Sequence, residues 1–320
     1  MADSRIHSTL ADAMIRVTEA AAVAAFDYSG RGDERMADQA AVDAMRTRLN
    51  QVEIKGRIVI GEGERDEAPM LYIGEDVGTG EGAEMDLALD PLEGTTLTAK
   101  AMSNALSVLA IAPHGTMLHS PDVYMDKLAI GPGYPDGVID LDASPAENVL
   151  ALAKEKGVDP KHLTVCVLDR PRHQELIASL RSVEARVVLI PDGDIAGVIN
   201  TTDPTTGIDM YIGRGGAPEG VLAAAALKCI GGQMKARLVF RNDEEKGRAR
   251  RVGIQDLTRI YDLADLVHDE AVFCATGVTK GGLLDGVSYS NGTVETETLI
   301  MTSFDHSTRR VRTRRPVSKA

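Results

Sequence analysis

Six carboxylates stand where a folded chain could aim them at one ligand: Asp38, Glu62, Glu64, Asp90, Glu93 and Glu219. Each lies at the end of an apolar run or near the start of a helical pattern. Carboxylates without accompanying His or Cys select Mg2+ or Mn2+ over zinc. Opposite them are the Gly94-Thr95 step, which offers backbone N–H groups at a helix start where a phosphate would sit, and Arg170 and Arg172. Guanidinium groups fit phosphate oxygens bidentately. The set suits metal-assisted phosphoryl chemistry on a substrate with more than one anionic group. No Walker lysine motif or kinase loop is present, which favours hydrolysis over transfer from ATP.

The elements that must position these groups are legible in outline. Residues 86–90 alternate acidic and apolar side chains, predicting a strand that breaks at Pro91 into a turn carrying Glu93, Gly94 and Thr95. On these residues alone the turn fits a capped strand-to-helix junction as well as an active site, because caps favour the same residue types. Glu62 and Glu64 follow an apolar strand pattern at 56–61 and are flanked by glycines, which permit close approach of backbone and ligand. The same charged run would serve as an exposed loop. Asp38 falls in the first turn of a helix expected over 36–51, where the dipole favours a carboxylate whether or not it binds anything. A further helix is expected over 8–26.

From 163 onward strand and helix patterns alternate: 163–168, 173–180, 186–190, 195–199, 208–212 and 218–229. That rhythm implies a sheet flanked by helices, with ligands beyond the carboxyl ends of the strands. Asp169 to His173, Asp192 to Asp194 and Gly213 to Gly220 all fall there. The last of these misses the dinucleotide fingerprint because Pro218 replaces its final glycine, leaving glycines and Glu219 at a helix mouth. The Gly/Pro-rich passage 127–137 reads as a linker, 241–251 as a solvated charged loop, and the basic tail 309–319 as a mobile end. Late strands are expected at 272–274 and 296–302.

The 320 residues, 43% hydrophobic, allow about two domains. A net charge of -13 argues against a nucleic-acid surface and requires cations or a local basic cluster to hold an anionic substrate. Cys166, Cys229 and Cys274 are far apart in apolar surroundings, with neither disulfide nor zinc spacing, and read as reduced core thiols. No apolar run approaches the ~18–20 residues of a spanning helix, so a soluble, cytoplasmic protein is expected, with no membrane partner.

Several of these motifs together resemble a known family. Gly61-Glu62-Gly63-Glu64-Arg65 within 60–72, Asp90-Pro91-Leu92-Glu93-Gly94-Thr95, Pro121-Asp122-Val123-Tyr124-Met125, Arg170-Pro171-Arg172-His173, Asp192-Gly193-Asp194 and Gly215-Gly216-Ala217-Pro218-Glu219-Gly220 look like the class II fructose-1,6-bisphosphatases of bacteria. The central turn also resembles the Asp-Pro-x-Asp-Gly-Thr signature of the lithium-sensitive phosphatase superfamily, with Glu93 for its second Asp.

The resemblance implies an α/β (α+β layered) sugar-phosphatase fold with αβαβα layers and two subdomains. These are a metal- and phosphate-binding part at 1–135 and a sugar-binding part at 136–320. It implies Mg2+ or Mn2+ dependence, hydrolysis of the 1-phosphate of fructose 1,6-bisphosphate, and a homo-oligomer, dimer or tetramer. It makes Asp38, Glu62, Asp90, Glu93 and Glu219 metal ligands, with Thr95, Asp90 and Glu62 catalytic. Glu93, Gly94 and Thr95 would hold the reacting phosphate. Tyr124, Arg170, Pro171, Arg172, Asp192, Gly193, Asp194 and Gly216 would hold the rest of the substrate. Glu34 stands where many members have Lys. Arg170 replaces a Lys, as in the bifunctional fructose/sedoheptulose bisphosphatases of photosynthetic bacteria, which brings sedoheptulose 1,7-bisphosphate into consideration. The alternatives are another sugar or inositol phosphatase on this architecture and a catalytically silent metal-dependent sugar-phosphate sensor.

Overall fold

A computed structural model describes residues 6–62 and 71–317. The chain forms two compact units, one from 1–117 with 269–320 and the other from 118–268.

The first unit opens with α1 (Ser8–Phe26) and α2 (Glu34–Leu49). Ala11, Met14, Val17, Ala21 and Ala25 recur at helical spacing along α1 and are fully buried, so the apolar stripe dictates which face packs. Asp33 caps α2 by accepting from the Met36 N–H at 3.0 Å. Strands β1 (Ile54–Ile60), β2 (Asp76–Val77) and β3 (Ala83–Glu93), the short helix α3 (Thr95–Ala99) and β4 (Leu106–Pro113) follow. β1 and β3 run parallel, and β3 and β4 antiparallel. Every residue of β4 is buried, as expected for a strand in the middle of a covered sheet.

The second unit contains β5 (Tyr124–Ile130), α4 (Pro145–Lys156), β6 (Thr164–Leu168), α5 (Gln174–Ser182), β7 (Arg186–Ile190) and α6 (Asp194–Ile199). It continues with β8 (Met210–Gly216), α7 (Ala217–Ile230), β9 (Gln233–Val239), α8 (Asp243–Arg251), β10 (Ile260–Asp262) and α9 (Leu263–Leu266). Its sheet has the order β10-β9-β5-β8-β6-β7. Ser144 and Glu147 form a capping box at α4, with Pro145 opening the helix. α7 is apolar on all sides, Ala223 to Ala226 being buried, which suits a helix sequestered inside its unit.

The chain then returns to the first unit with β11 (Val272–Gly277), β12 (Ser288–Ser290), β13 (Thr293–Thr302) and β14 (Ser307–Pro316). The first sheet has the order β12-β13-β11-β4-β3-β1-β2, with β14 against β13.

The mixed α/β class and the alternation of 163–229 are as the sequence implies. Three expectations are corrected. The boundary at 135/136 does not separate the units: 127–130 is no linker but part of β5, paired with β8 and β9. The charged segment 241–251 contains α8, capped by Asn242, which accepts from the Glu245 N–H at 2.9 Å. The basic tail is a full strand because acids meet it on both faces. Arg309 and Arg315 reach Asp12 and Glu19 of α1, while Arg312 reaches Asp285 and Glu297 and Arg314 reaches Glu295. Cys166, Cys229 and Cys274 are buried thiols in no disulfide, and burial pushes Cys166 and Cys274 up to about 12.

A lysine forms part of the second core. Lys127 in β5 is 1% exposed; its Nζ donates to Asp194 and, at 2.8 Å, to the Gly216 carbonyl. Asp194 also accepts from the Tyr211 hydroxyl at 3.4 Å. A buried carboxylate left without its cation is costly, so Lys127→Met is expected to destabilise the protein by about 3–5 kcal/mol. Adding Asp194→Leu should recover most of that loss. Urea unfolding of the two variants tests this, and a loss below about 1 kcal/mol in the single variant would mean that the pair contributes no more than a surface ion pair.

Candidate active site

In the first unit the site is built on an irregularity of β3. Asp90 pairs with Val108 and Glu93 with Leu106, so three steps along β3 run against two along β4. Side chains three apart on a regular strand point to opposite faces. One extra residue resets that parity and turns both carboxylates the same way. An oxygen of Asp90 accordingly lies within 4.8 Å of one of Glu93. Pro91, with no N–H to give to a ladder, is suited to the bulge. The Leu92 N–H donates to Asp90 Oδ1 at 3.0 Å and fixes that side chain. Gly94 then reverses the chain at φ 89°, where a Cβ would also sit 2.8 Å from Leu97 Cδ1.

The strand therefore runs on through Pro91 to Glu93, beyond the break expected at Pro91. α3 has only five residues, so its dipole is small; Gly94 and the half-buried Thr95 matter as local N–H and hydroxyl donors.

Glu62 and Asp90 reach the same sheet end by register. Ile60, the last residue of β1, pairs with Ala88 of the parallel β3, so Glu62, two residues past the end of β1, comes level with Asp90, two residues further along β3. The Glu62 N–H donates to the Leu71 carbonyl at 2.9 Å. Glu64 lies outside the described residues. Asp38 sits in the second turn of α2, one turn later than the sequence suggested, and is half-buried. Burial, and then the charge of Asp90, pushes its carboxyl from 3.8 up to about 6. The oxygen-only Asp90–Glu93 pair, with no His or Cys alongside among the described residues, fits a hard divalent cation.

In the second unit Glu219 is in the first turn of α7. Its carboxylate folds back over Gly216, where a Cβ would stand 1.9 Å from Oε2. Asp194 is turned inward onto Lys127, and Gly193 caps α6 at φ 83°. Arg170 is tied to Asp192 at 3.5 Å and to the carbonyls of Asp169 and Pro191. Burial raises the Asp192 carboxyl more than Arg170 lowers it. Pro171 opens a short turn that sets Arg172 beside Tyr124. Arg172 donates to the Arg214 carbonyl through Nε at 3.0 Å and Nη2 at 2.7 Å. His173 locks the turn to β8: Nδ1 donates to the Leu168 carbonyl at 2.7 Å and Nε2 accepts from the Arg214 N–H at 2.8 Å. Burial lowers its pKa, consistent with a neutral ring.

The family model for bacterial fructose-1,6-bisphosphatase, glpX-encoded, matches residues 8–315. The chain belongs to this family. The family's curated members include the fructose-1,6-bisphosphatase 1 class 2 of Escherichia coli K12, 47% identical over 309 residues, 92% of each chain. The class 2 enzymes of Escherichia coli O6:H1 and Shigella flexneri match with the same identity and coverage.

As a member of the bisphosphatase family, the chain presents its motif residues in two groups. The first unit brings Asp38, Asp90 and Glu93 together, delivers Glu62 to the same sheet edge, and follows them with Gly94 and Thr95. The second unit carries Glu219 and Gly216, and separately Tyr124 with Arg172.

The sequence does not single out Lys127, Arg241 or Glu245, which the fold places against Asp194, Tyr124 and Arg241 respectively. Asn242 three residues before Glu245 has the spacing of a capping box and could have revealed α8. Nothing in the pattern of β5 marks Lys127 as a buried partner.

The raised pKa of Asp38 makes stability depend on pH. Between pH 3.8 and about 6 the native state keeps a proton that the unfolded chain has released, so this group's contribution to stability falls as pH rises through that window. Asp38→Asn is expected to raise the Tm of metal-free protein at pH 7.5, with the gain vanishing by pH 4. A gain independent of pH would refute the raised pKa of Asp38, caused first by burial and then by the charge of Asp90.

Proposed function

We propose that this chain hydrolyses the 1-phosphate of fructose 1,6-bisphosphate to give fructose 6-phosphate and phosphate, with Mg2+ or Mn2+ as its metal. The observation that carries the reading is the bulge that turns Asp90 and Glu93 to one side immediately before Gly94 and Thr95. Metal ligation and N–H donation to a phosphate are thereby supplied by neighbouring residues. The family's name for its members supports the substrate.

We assign Asp38, Glu62, Asp90 and Glu93 as the first unit's metal ligands, and Glu219 as the second unit's. A cation held by the first unit's carboxylates would neutralise the phosphoryl oxygens and would make water more acidic. The chain's own groups do the rest. Gly94 and Thr95 N–H groups steady the equatorial oxygens of the phosphoryl group, in the way preorganised donors stabilise developing charge. The Thr95 hydroxyl orients the attacking water or relays a proton toward the leaving sugar oxygen, and Glu62 and Asp90 hold the reacting centre in line. Tyr124, Arg170, Pro171, Arg172, Asp192, Gly193, Asp194 and Gly216 form the sugar and distal phosphate site. Asp194 serves it through the α6 backbone, since its carboxylate is committed to Lys127. A homo-oligomer working in the cytoplasm fits this role.

Sedoheptulose 1,7-bisphosphate is a second substrate of interest because Arg170 stands in place of lysine. Its fork is held by Asp192 and two carbonyls, leaving a planar group at the sugar site where lysine would offer a point charge.

Asp90→Asn is expected to lower phosphate release by orders of magnitude while leaving the circular dichroism spectrum unchanged and without lowering the Tm. Full activity in that variant sinks the assignment. Comparing kcat/KM for the two bisphosphates under Mg2+ and under Mn2+ decides substrate and metal preference. Absence of phosphate release from either would reject the bisphosphatase reading.

A further inference from the structure

Tyr124, the first residue of β5, is flanked by two guanidinium groups. Arg172 lies 5.1 Å and Arg241 5.3 Å from its ring centroid. They come from different elements, Arg172 from the turn after β6 and Arg241 from the segment between β9 and α8. Register explains the meeting, because Tyr124 pairs with Gly216 at the end of β8 and Val239 at the end of β9. An aromatic face attracts each cation, but two cations beside one ring also repel each other. Arg172 makes no ion pair among the described residues and rests on a backbone carbonyl, so its charge is left for something else to neutralise.

Arg241 is held with unusual care for an exposed side chain. Glu245 Oε1 accepts from its Nε at 2.6 Å and Oε2 accepts from its backbone N–H at 2.6 Å, with Nη2 2.5 Å from Oε1. The Glu245 side chain is only 2% exposed while that of Arg241 is 60% exposed. Burying a carboxylate is costly unless it is fully paired. A solvated loop would have no reason to bury Glu245; a device that fixes a guanidinium beside Tyr124 does. Both arginines are anchored through Nε and Nη2, so each keeps Nη1 without a protein acceptor among the described residues. Two oriented N–H groups and a phenol hydroxyl are what a phosphate monoester dianion requires.

We propose that Arg241 binds the phosphate of the substrate remote from the scissile bond, sharing it with Arg172 and Tyr124, and that Glu245 is its positioning residue. This rests on the bisphosphatase reading and deepens it: Arg241 is what makes the site select doubly phosphorylated sugars. Binding energy from a remote phosphate held equally in ground and transition states appears in KM rather than in kcat.

The test uses the full chain with Mn2+, comparing wild type, Arg241→Gln, Arg241→Lys and Glu245→Gln on fructose 1,6-bisphosphate and on fructose 1-phosphate, which lacks the remote phosphate. Arg241→Gln is expected to raise KM for the bisphosphate at least about tenfold with kcat within about threefold, and to leave fructose 1-phosphate kinetics unchanged. Arg241→Lys and Glu245→Gln should shift the same KM by smaller factors. Equal losses on both substrates, or an unchanged bisphosphate KM, would overturn the proposal. Calorimetric binding of fructose 6-phosphate separates this inference from the assigned activity, because it needs no turnover. Weakening by about tenfold or more in Arg241→Gln supports the phosphate contact even if wild type releases no phosphate, and unchanged affinity refutes it.

Discussion

One extra residue in β3 is the constraint on which the first unit's chemistry depends. Without it, Asp90 and Glu93 would project from opposite faces of the sheet, and no arrangement of loops could bring both to one ion. The bulge is tolerated because β4, buried along its whole length, supplies a fixed template on one side, and because Pro91 has no N–H to lose. Gly94 completes the device by adopting a backbone conformation that carries the chain directly from strand to Thr95. The same geometry sets up repulsion. Asp38 and Asp90 are close enough, and sufficiently buried, that one holds its proton more tightly than a free carboxyl would. Perturbed carboxyls of this kind cluster at functional sites.

The second unit solves the opposite problem. An acidic chain of net charge -13 must offer cations to an anionic ligand without losing them to its own carboxylates. It pairs Lys127 with Asp194, Arg170 with Asp192, Arg214 with Asp126 and Arg241 with Glu245. These acids, Asp194 and Glu245 buried among them, thereby act as scaffolding that holds basic groups in place. Arg172, beside Tyr124 and Arg241, rests on a carbonyl and makes no ion pair among the described residues. The packing of His173 between the Leu168 carbonyl and the Arg214 N–H keeps this turn in register with β8.

The order of elements explains why the chain departs from its first unit and returns. β11 and β13 continue the sheet beyond β4, and β14 closes it with an arginine-rich edge. Charged side chains on an edge strand also discourage pairing with other chains. The ion pairs from β14 to α1 and to β13 make the tail part of the fold.

Much was readable from sequence because it depends on local patterns. The apolar periodicity of α1, the alternation from 163 to 229 and the turn chemistry around Asp90 to Thr95 are each set within a few residues. Motif order over nearly the whole chain was enough to mark the family, and oxygen-only ligands were enough to imply a hard cation. What only the tertiary structure decided depends on partners distant in sequence. The tail at 307–316 becomes a strand because β13 and α1 present acids to it. A lysine in an apparent linker becomes core because Asp194, 67 residues away, meets it. The charged segment after β9 holds Arg241 beside Tyr124 because strand register brings the end of β9 to the start of β5. Sequence fixes residue type and local periodicity. Pairing register, which decides which charges meet and which face a side chain takes, is a property of neighbouring strands and exists only once they have come together.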